Sequence, residues 1–306
     1  MNKLVVLGSV NADHVLQVPQ FPRPGETLVG HNYTVIPGGK GANQAVAAAR
    51  MGAETAFIAA VGDDAFGQNI RKDFENDGID ISAVKMQNAC PTGIAMIQVS
   101  ADGENTICLS PEANEKLNAN LVEQSFDLIV QADYLLMQLE TPLEGVLCAA
   151  KIAHESKTQV ILNPAPAASL PDELLALIDI ITPNETEAQT LTGIEVSDEK
   201  SAQAAANVLH QKGINMVLIT LGAKGVWLSV NSEQKVIPGF KVNAVDTTAA
   251  GDTFNGAFVT GLIEGKPLDD SIRFAHAAAA LSVTKAGAQT SIPLRSEVDS
   301  FLSNNA

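Results

Sequence analysis

The chain has 306 residues, 46% of them hydrophobic and 18% charged, which excludes disordered and fibrous classes and suits one large α/β domain or a large domain with a small appendage. Its formal net charge of −16 argues against a sequence-independent nucleic-acid binder or an anionic-membrane binder, because both need lysine and arginine to neutralise phosphates. Cys90, Cys108 and Cys148 offer neither a disulfide framework nor a CxxC zinc site, and no apolar run approaches the roughly 18 residues of a membrane span, so a cytoplasmic enzyme or binding protein is expected.

In chain order, "KLVVLGSV" reads as a first strand, since it lacks the long apolar region and cleavage site of a signal peptide. Asn11 and Asp13 in "NAD" follow at its carboxyl end, where polar groups suit hydrogen bonding to sugar hydroxyls, although such pairs are also ordinary turn residues. The stretch "HVLQVPQFPRPGETLVGHNYTVIPGG" has no helical period and reads as strands outside the main sheet. Next comes "PGGKGANQAVAAARMG", in which Gly38, Gly39 and Gly41 permit close backbone approach to a ligand before an alanine-rich helix. It matches neither GxxxxGK[ST] nor GxGxxG, and a plain turn before a helix explains it about as well.

"AFIAAVG" is the next strand, and "TGIAMIQVSADGENTICLS" alternates around Asp102-Gly103 as a hairpin of the same extra sheet. Then "YLLMQL", "QVILNPAP", "IDIITPN" and "MVLITLGAKGVWLSV" alternate with helical segments such as "KSAQAAANVLHQKG". That rhythm predicts a doubly wound, mainly parallel α/β sheet flanked by helices, with ligands gathered at the carboxyl ends of the strands. "TPNETEAQTLTG" opens a helix with early acids; Glu187 is either a helix-start residue or a holder of magnesium through water. Gly222 and Gly225 around Lys224 form either a nucleotide-contacting loop or a hairpin. In "DTTAAGDTF" a turn of small residues before a helix presents unpaired backbone N–H groups and the positive end of the helix dipole. Asp252 inside such an anion site is either a general base or a helix cap. The closing "SNNA" is expected as a frayed end.

The chain resembles the ribokinase (PfkB) family of carbohydrate kinases from the first strand through "IRFAHAAAALSVTKAGAQTS". The two family signatures correspond to "GGKGANQAVAAARMG" and to "DTTAAGDTFNGAF", and the second is highly specific. The resemblance implies ATP-dependent phosphorylation of D-ribose at O5, with Asp252 as catalytic base and the backbone of Ala249, Ala250, Gly251 and Asp252 as an anion hole. It implies sugar contacts at Asn11, Ala12, Asp13, Gly39, Lys40, Gly41, Ala42, Asn43 and Glu140. The nucleotide falls to Asn184, to the loop Thr220, Leu221, Gly222, Ala223, Lys224 and Gly225, and to His276, with Glu187 organising Mg2+. For His276 a structural role in an alanine-rich helix is the alternative.

The resemblance also implies a K+ site from the side chains of Asp246 and Ser291 and the carbonyls of Thr248, Ser282, Lys285 and Gly287. Insertions at about 14–38 and 92–112 then form a β lid on a single domain spanning 1–306, and two lids pair in a homodimer. "CLSPEAN" departs from the family's lid pattern, being more acidic and carrying a proline. The alternatives are a kinase for a related acceptor such as 2-deoxyribose, and a sugar-binding regulator with the same fold. A dinucleotide-dependent oxidoreductase would need the glycine fingerprint that the chain lacks.

Overall fold

The computed structural model describes residues 3–231 and 233–305. Nine strands form the main sheet: β1 (Lys3–Leu7), β4 (Glu54–Gly62), β5 (Val84–Gln87), β8 (Tyr134–Met137), β9 (Gln159–Leu162), β10 (Ile180–Ile181), β11 (Met216–Thr220), β12 (Val226–Val230) and β13 (Glu233–Ile237). Their order is β13-β12-β11-β10-β9-β8-β1-β4-β5. Pairing is parallel from β5 through β11 and antiparallel only where β12 and β13 add an edge hairpin. The doubly wound, mainly parallel sheet expected from the alternation is therefore present.

Burial on both faces explains the near-continuous apolar strands. In β1, Leu4 and Val6 enter one core with the helices Lys40–Arg50, Ala250–Ile263 and Leu268–Ser282. Val5 and Leu7 enter the other, against the helices Leu143–Ser156 and Glu199–Gln211. Sequence reading missed β5 and β13, whose short segments "VKMQ" and "EQKVI" carry lysine and lie at the two sheet edges, where burial is partial.

A separate sheet, ordered β3-β2-β6-β7, consists of β2 (Asn11–Gln17), β3 (His31–Gly38), β6 (Gly93–Val99) and β7 (Asn105–Ser110). The hairpin between β6 and β7 closes with Ser100 N–H donating to the Glu104 carbonyl at 2.9 Å, and Gly103 takes φ 86° in the turn. Tyr33, Val35, Met96, Ile107 and Leu109 leave large apolar side chains exposed on this sheet. At the other end of the chain, the helix Arg295–Asn304 includes Ser303 and Asn304, which corrects the expectation of fraying there; Ala306 lies outside the described residues.

Candidate active site

The site lies at the carboxyl ends of the parallel strands, as open α/β sheets require. After β1 the chain turns through Ser9 and enters β2, which places Asn11 and Asp13 facing the glycine loop. Gly39 takes φ 92°, and a Cβ on Gly41 would sit 2.5 Å from the Gly8 backbone, so the loop packs directly on the β1 turn. A Cβ on Gly38 would lie 2.0 Å from Asp13 Oδ2. Glu140, beyond β8, accepts from Ser9 Oγ at 2.6 Å and from the Lys40 N–H at 3.0 Å. These contacts bring the expected sugar residues Asn11, Ala12, Asp13, Gly39, Lys40, Gly41, Ala42, Asn43 and Glu140 to one place.

Asp252 stands in the first turn of the helix Ala250–Ile263 and is 7% exposed. Its Oδ2 accepts from Asn43 Nδ2 at 2.9 Å and its Oδ1 from Gln44 Nε2 at 2.9 Å. Ala249 adopts the left-handed region at φ 58°, while Thr253 N–H donates to the Ala249 carbonyl at 2.8 Å and caps the turn. Among the described residues, the Gly251 and Asp252 amides have no acceptor, and nothing lies within 4 Å of a Cβ built on Gly251. An open, positively polarised helix end thus adjoins a buried carboxylate. Asp252 does not accept an N-terminal amide of its own helix, so the helix-cap alternative is not what the structure has.

Electrostatics tie the parts together. The Asp13 carboxyl is pushed up from 3.8 to about 7, mainly by burial, then by Glu140 and Asp252, against the pull of Lys40. Burial alone would lower the Lys40 amine, but the carboxylates of Asp252, Glu140, Glu187 and Asp13 outweigh it and hold the ammonium above its ordinary value. One lysine therefore sits in the field of four acids.

A cavity of about 490 Å3 opens on the other side of the Ala250–Ile263 helix terminus. Asn184, Thr220, Gly222, Ala223, Gly225, Ala250, Gly251 and His276 line it, whereas Leu221, Lys224, Glu187 and Asp252 do not. The Thr220–Gly225 segment is the hairpin connection between β11 and β12, and Thr220, Gly222, Ala223 and Gly225 of it also line the cavity. His276 is buried and neutral: burial lowers its imidazole to about 4 against a hydrogen bond with the Ile237 backbone, and its Nε2 has no partner. Glu187 completes a capping box, with Asn184 N–H donating to Oε2 at 2.8 Å and Asn184 Nδ2 to Oε1 at 3.0 Å. Burial raises its carboxyl. With both oxygens engaged, Glu187 fits a magnesium contact through water better than direct ligation.

Asp246 bridges two segments, accepting from the Thr248 N–H and the Gly287 N–H, each at 2.9 Å. Although burial opposes it, these hydrogen bonds hold the carboxyl below its ordinary value. The Asp246 amide reaches the Val283 carbonyl, next to Ser282, at 3.2 Å, and Lys285 N–H donates to the Ser282 carbonyl at 3.1 Å. Asp246, Thr248, Ser282, Lys285 and Gly287 are thus joined, while the Ser291 hydroxyl is buried and donates to Ala288. The Asp246 carboxylate is the charged oxygen donor of this set, and each of its oxygens is engaged by an amide N–H.

Sequence reading missed several residues. Gln44, Gln138, Asn163, Thr182 and Asn255 form a buried polar cluster beneath Asp252. Asn114, in the unusual "CLSPEAN" stretch, donates to Asn11 Oδ1 at 2.8 Å and accepts from Val10 N–H at 2.9 Å, which turns the Asn11 amide nitrogen away from it. Phe240, Lys241, Val242 and Ala244, which have no regular structure, supply a further cavity wall. No local pattern singles these residues out; Gln44, the fifth residue of the helix Lys40–Arg50, lies inside the glycine-loop signature but reads there as an ordinary helix residue.

A family model described as pfkB family carbohydrate kinase matches residues 1–295. The ribokinase of Haemophilus influenzae is 58% identical over 98% of this chain and 98% of its own length. A deoxyribokinase of Salmonella typhi is 35% identical over 99% of each chain. A solved structure described as Arabidopsis thaliana ribokinase complexed with ribose and ATP superposes with a TM-score of 0.92 at 35% identity, covering 99% of each chain. With the family match running through both the glycine loop and the Asp252 helix, the chain belongs to the pfkB family of carbohydrate kinases.

Proposed function

We propose that this chain transfers the γ-phosphoryl group of ATP to O5 of D-ribose, giving D-ribose 5-phosphate and ADP. The observation that carries the reading is Asp252, a buried carboxylate held by two carboxamides between the Asp13–Lys40–Glu140 pocket and the nucleotide-sized cavity. Ribose hydroxyls donate to Asp13 and Glu140, while Lys40 and Asn43 fix the ring from the loop. Asp252 accepts the O5 proton as O5 attacks the γ-phosphorus; the new O–P bond forms while the bond to the leaving oxygen of ADP breaks. The open amides of Gly251 and Asp252 face the charge carried by the transferring group, whereas the Ala250 amide donates to the Thr247 carbonyl at 3.2 Å. His276, Asn184 and the Thr220–Gly225 loop hold the nucleotide.

Glu187 would hold Mg2+ through water, and the ion would supply neutralising charge to the phosphates. The Asp246 segment would hold K+, whose charge would help order the loop beside the helix terminus. The small sheet acts as a lid that excludes water, and its exposed Tyr33, Val35, Met96, Ile107 and Leu109 support pairing with a second lid in a cytoplasmic homodimer. No helix among the described residues is long and apolar enough to cross a membrane. The relationship to a deoxyribokinase keeps 2-deoxyribose as the second acceptor to be tested. The decisive measurement is coupled ADP release with ribose, 2-deoxyribose, fructose and adenosine, in K+ or Na+. Ribose is expected to dominate, K+ to raise turnover, and Asp252→Asn to lower kcat by about 10²- to 10⁴-fold. Turnover dominated by another acceptor overturns the assignment to ribose, and full activity in Asp252→Asn overturns the mechanism.

A further inference from the structure

We propose that Gln44 and Gln138 are positioning residues that lock the Asp252 carboxylate into its reactive orientation. The inference rests on the reading of Asp252 as the base. Gln44 lies three residues past Gly41 within the helix Lys40–Arg50 and is fully buried. Its Nε2 donates both hydrogens, one to Asp252 Oδ1 at 2.9 Å and one to Asn163 Oδ1 at 3.0 Å. Its Oε1 accepts from Gln138 Nε2 at 2.6 Å. A primary amide has two donors and one acceptor oxygen, so this arrangement admits a single orientation. Turned over, Gln44 would set its oxygen against a carboxylate and a carbonyl, and its NH2 against another NH2.

Each neighbour is held in turn. Asn163 Nδ2 donates to the Thr182 carbonyl at 3.1 Å, which fixes Oδ1 as the atom facing Gln44. Gln138 Oε1 has no hydrogen-bond partner and is wedged against the first turn, where a Cβ on Gly8 would lie 2.1 Å away. Gln138, Asn163 and Thr182 follow directly on β8, β9 and β10, so the relay runs along the carboxyl ends of three adjacent parallel strands under the Ala250–Ile263 helix. Rigid strand ends thereby determine which way an amide points two links away. Together with Asn43 on Oδ2, Gln44 uses one lone pair of each Asp252 oxygen, which fixes the carboxylate plane and leaves the remaining lone pairs for a substrate hydroxyl. Buried groups in such a network have no water to substitute for a lost partner. Asp13, Lys40, Glu140 and Glu187 supply the charge around the carboxylate; the amides supply its direction.

The test uses the full chain with Gln44→Met, Gln138→Met, the double variant and Asp252→Asn as reference. Ribose and ATP kinetics, ribose affinity by calorimetry and thermal melts are measured for each. Gln44→Met is expected to lower kcat by about 10- to 100-fold with ribose KM and affinity within about twofold, because an oriented hydrogen bond to a charged group is lost. Gln138→Met, which does not touch Asp252, is expected to lower kcat in the same direction. In the Gln44→Met background the Gln138 change should cost nothing more, since its effect passes only through Gln44. If Gln44→Met does not fold, Gln138→Met alone decides. Wild-type kcat in Gln138→Met, losses that simply add, or losses confined to KM overturn the relay alone when Asp252→Asn is inactive. An active Asp252→Asn overturns the relay together with the base assignment.

Discussion

Replacing Asp13 by asparagine should stabilise the ligand-free protein while weakening its hold on sugar. The Asp13 carboxyl ionises at 3.8 in the unfolded chain and at about 7 in the folded one, because burial, Glu140 and Asp252 disfavour its charge. The folded state therefore binds the extra proton between these values, and stability falls as pH rises from about 4 to about 7 and is then level. A gap of about three pH units at about 1.4 kcal/mol each makes the deficit up to about 4 kcal/mol above neutrality, and about half that near pH 5.5. Asparagine keeps the size and removes the charge. At about 2 °C per kcal/mol for a chain of this length, Tm at about pH 8 should rise by about 8 °C in Asp13→Asn, and by about half as much near pH 5.5. Scanning calorimetry across that range, without sugar, gives the comparison, and ribose KM should rise about 10-fold or more in the same variant. A variant no more stable than wild type at pH 8, or a gain independent of pH, would refute the account of Asp13 as a strained acceptor.

Gly256→Ala should lower both stability and kcat, since its Cβ would sit 2.6 Å from Ala47 Cβ and from the Gln44 carbonyl; overpacking of this kind costs about 1–3 kcal/mol, measurable by urea unfolding. Asn114→Leu strands the Val10 amide and frees Asn11, so a loss of about 2–4 kcal/mol with raised ribose KM is expected; an unchanged KM would detach Asn114 from the sugar pocket. Asp246→Asn should raise the K+ concentration needed for half-activation by about 10-fold or more, while Na+-supported turnover changes little. That comparison fails if the variant loses activity equally in both ions.

The sheet was legible because the apolar runs from "KLVVLGSV" to "MVLITL" are buried on both faces, and such strands leave an unmistakable trace. The Asp252 turn was legible for a different reason: small residues and an acid before an apolar run are a local pattern, and the helix Ala250–Ile263 begins there. What escaped is long-range. Gln138 and Gln44 are 94 residues apart, and Asn163 and Gln44 are 119 apart; a lone glutamine inside an alanine-rich helix reads as helix former and nothing more. Asn114 escaped because its stretch was weighed for acidity and proline, while its contact with Val10 and Asn11 spans more than a hundred residues. Lys40 was read as a sugar contact, yet its wider setting among four acids emerges only when five segments meet.

β2 spans from the candidate site to the separate sheet. Its inner end carries Asn11 and Asp13 in the sugar pocket, and the same unbroken strand runs outward to Gln17, paired with β6 from Gly93 to Val99 along its whole length. β2 is hydrogen-bonded to β3 on one side, with a bulge between Val15 and Gln17, and to β6 along its length on the other, so the pocket end and the outer sheet belong to one hydrogen-bonded unit. Thermodynamic linkage then works in both directions. A partner seated on the apolar side chains of Tyr33, Val35 and Met96 that prefers one position of this sheet would change the proposed sugar affinity by the factor with which sugar changes its own.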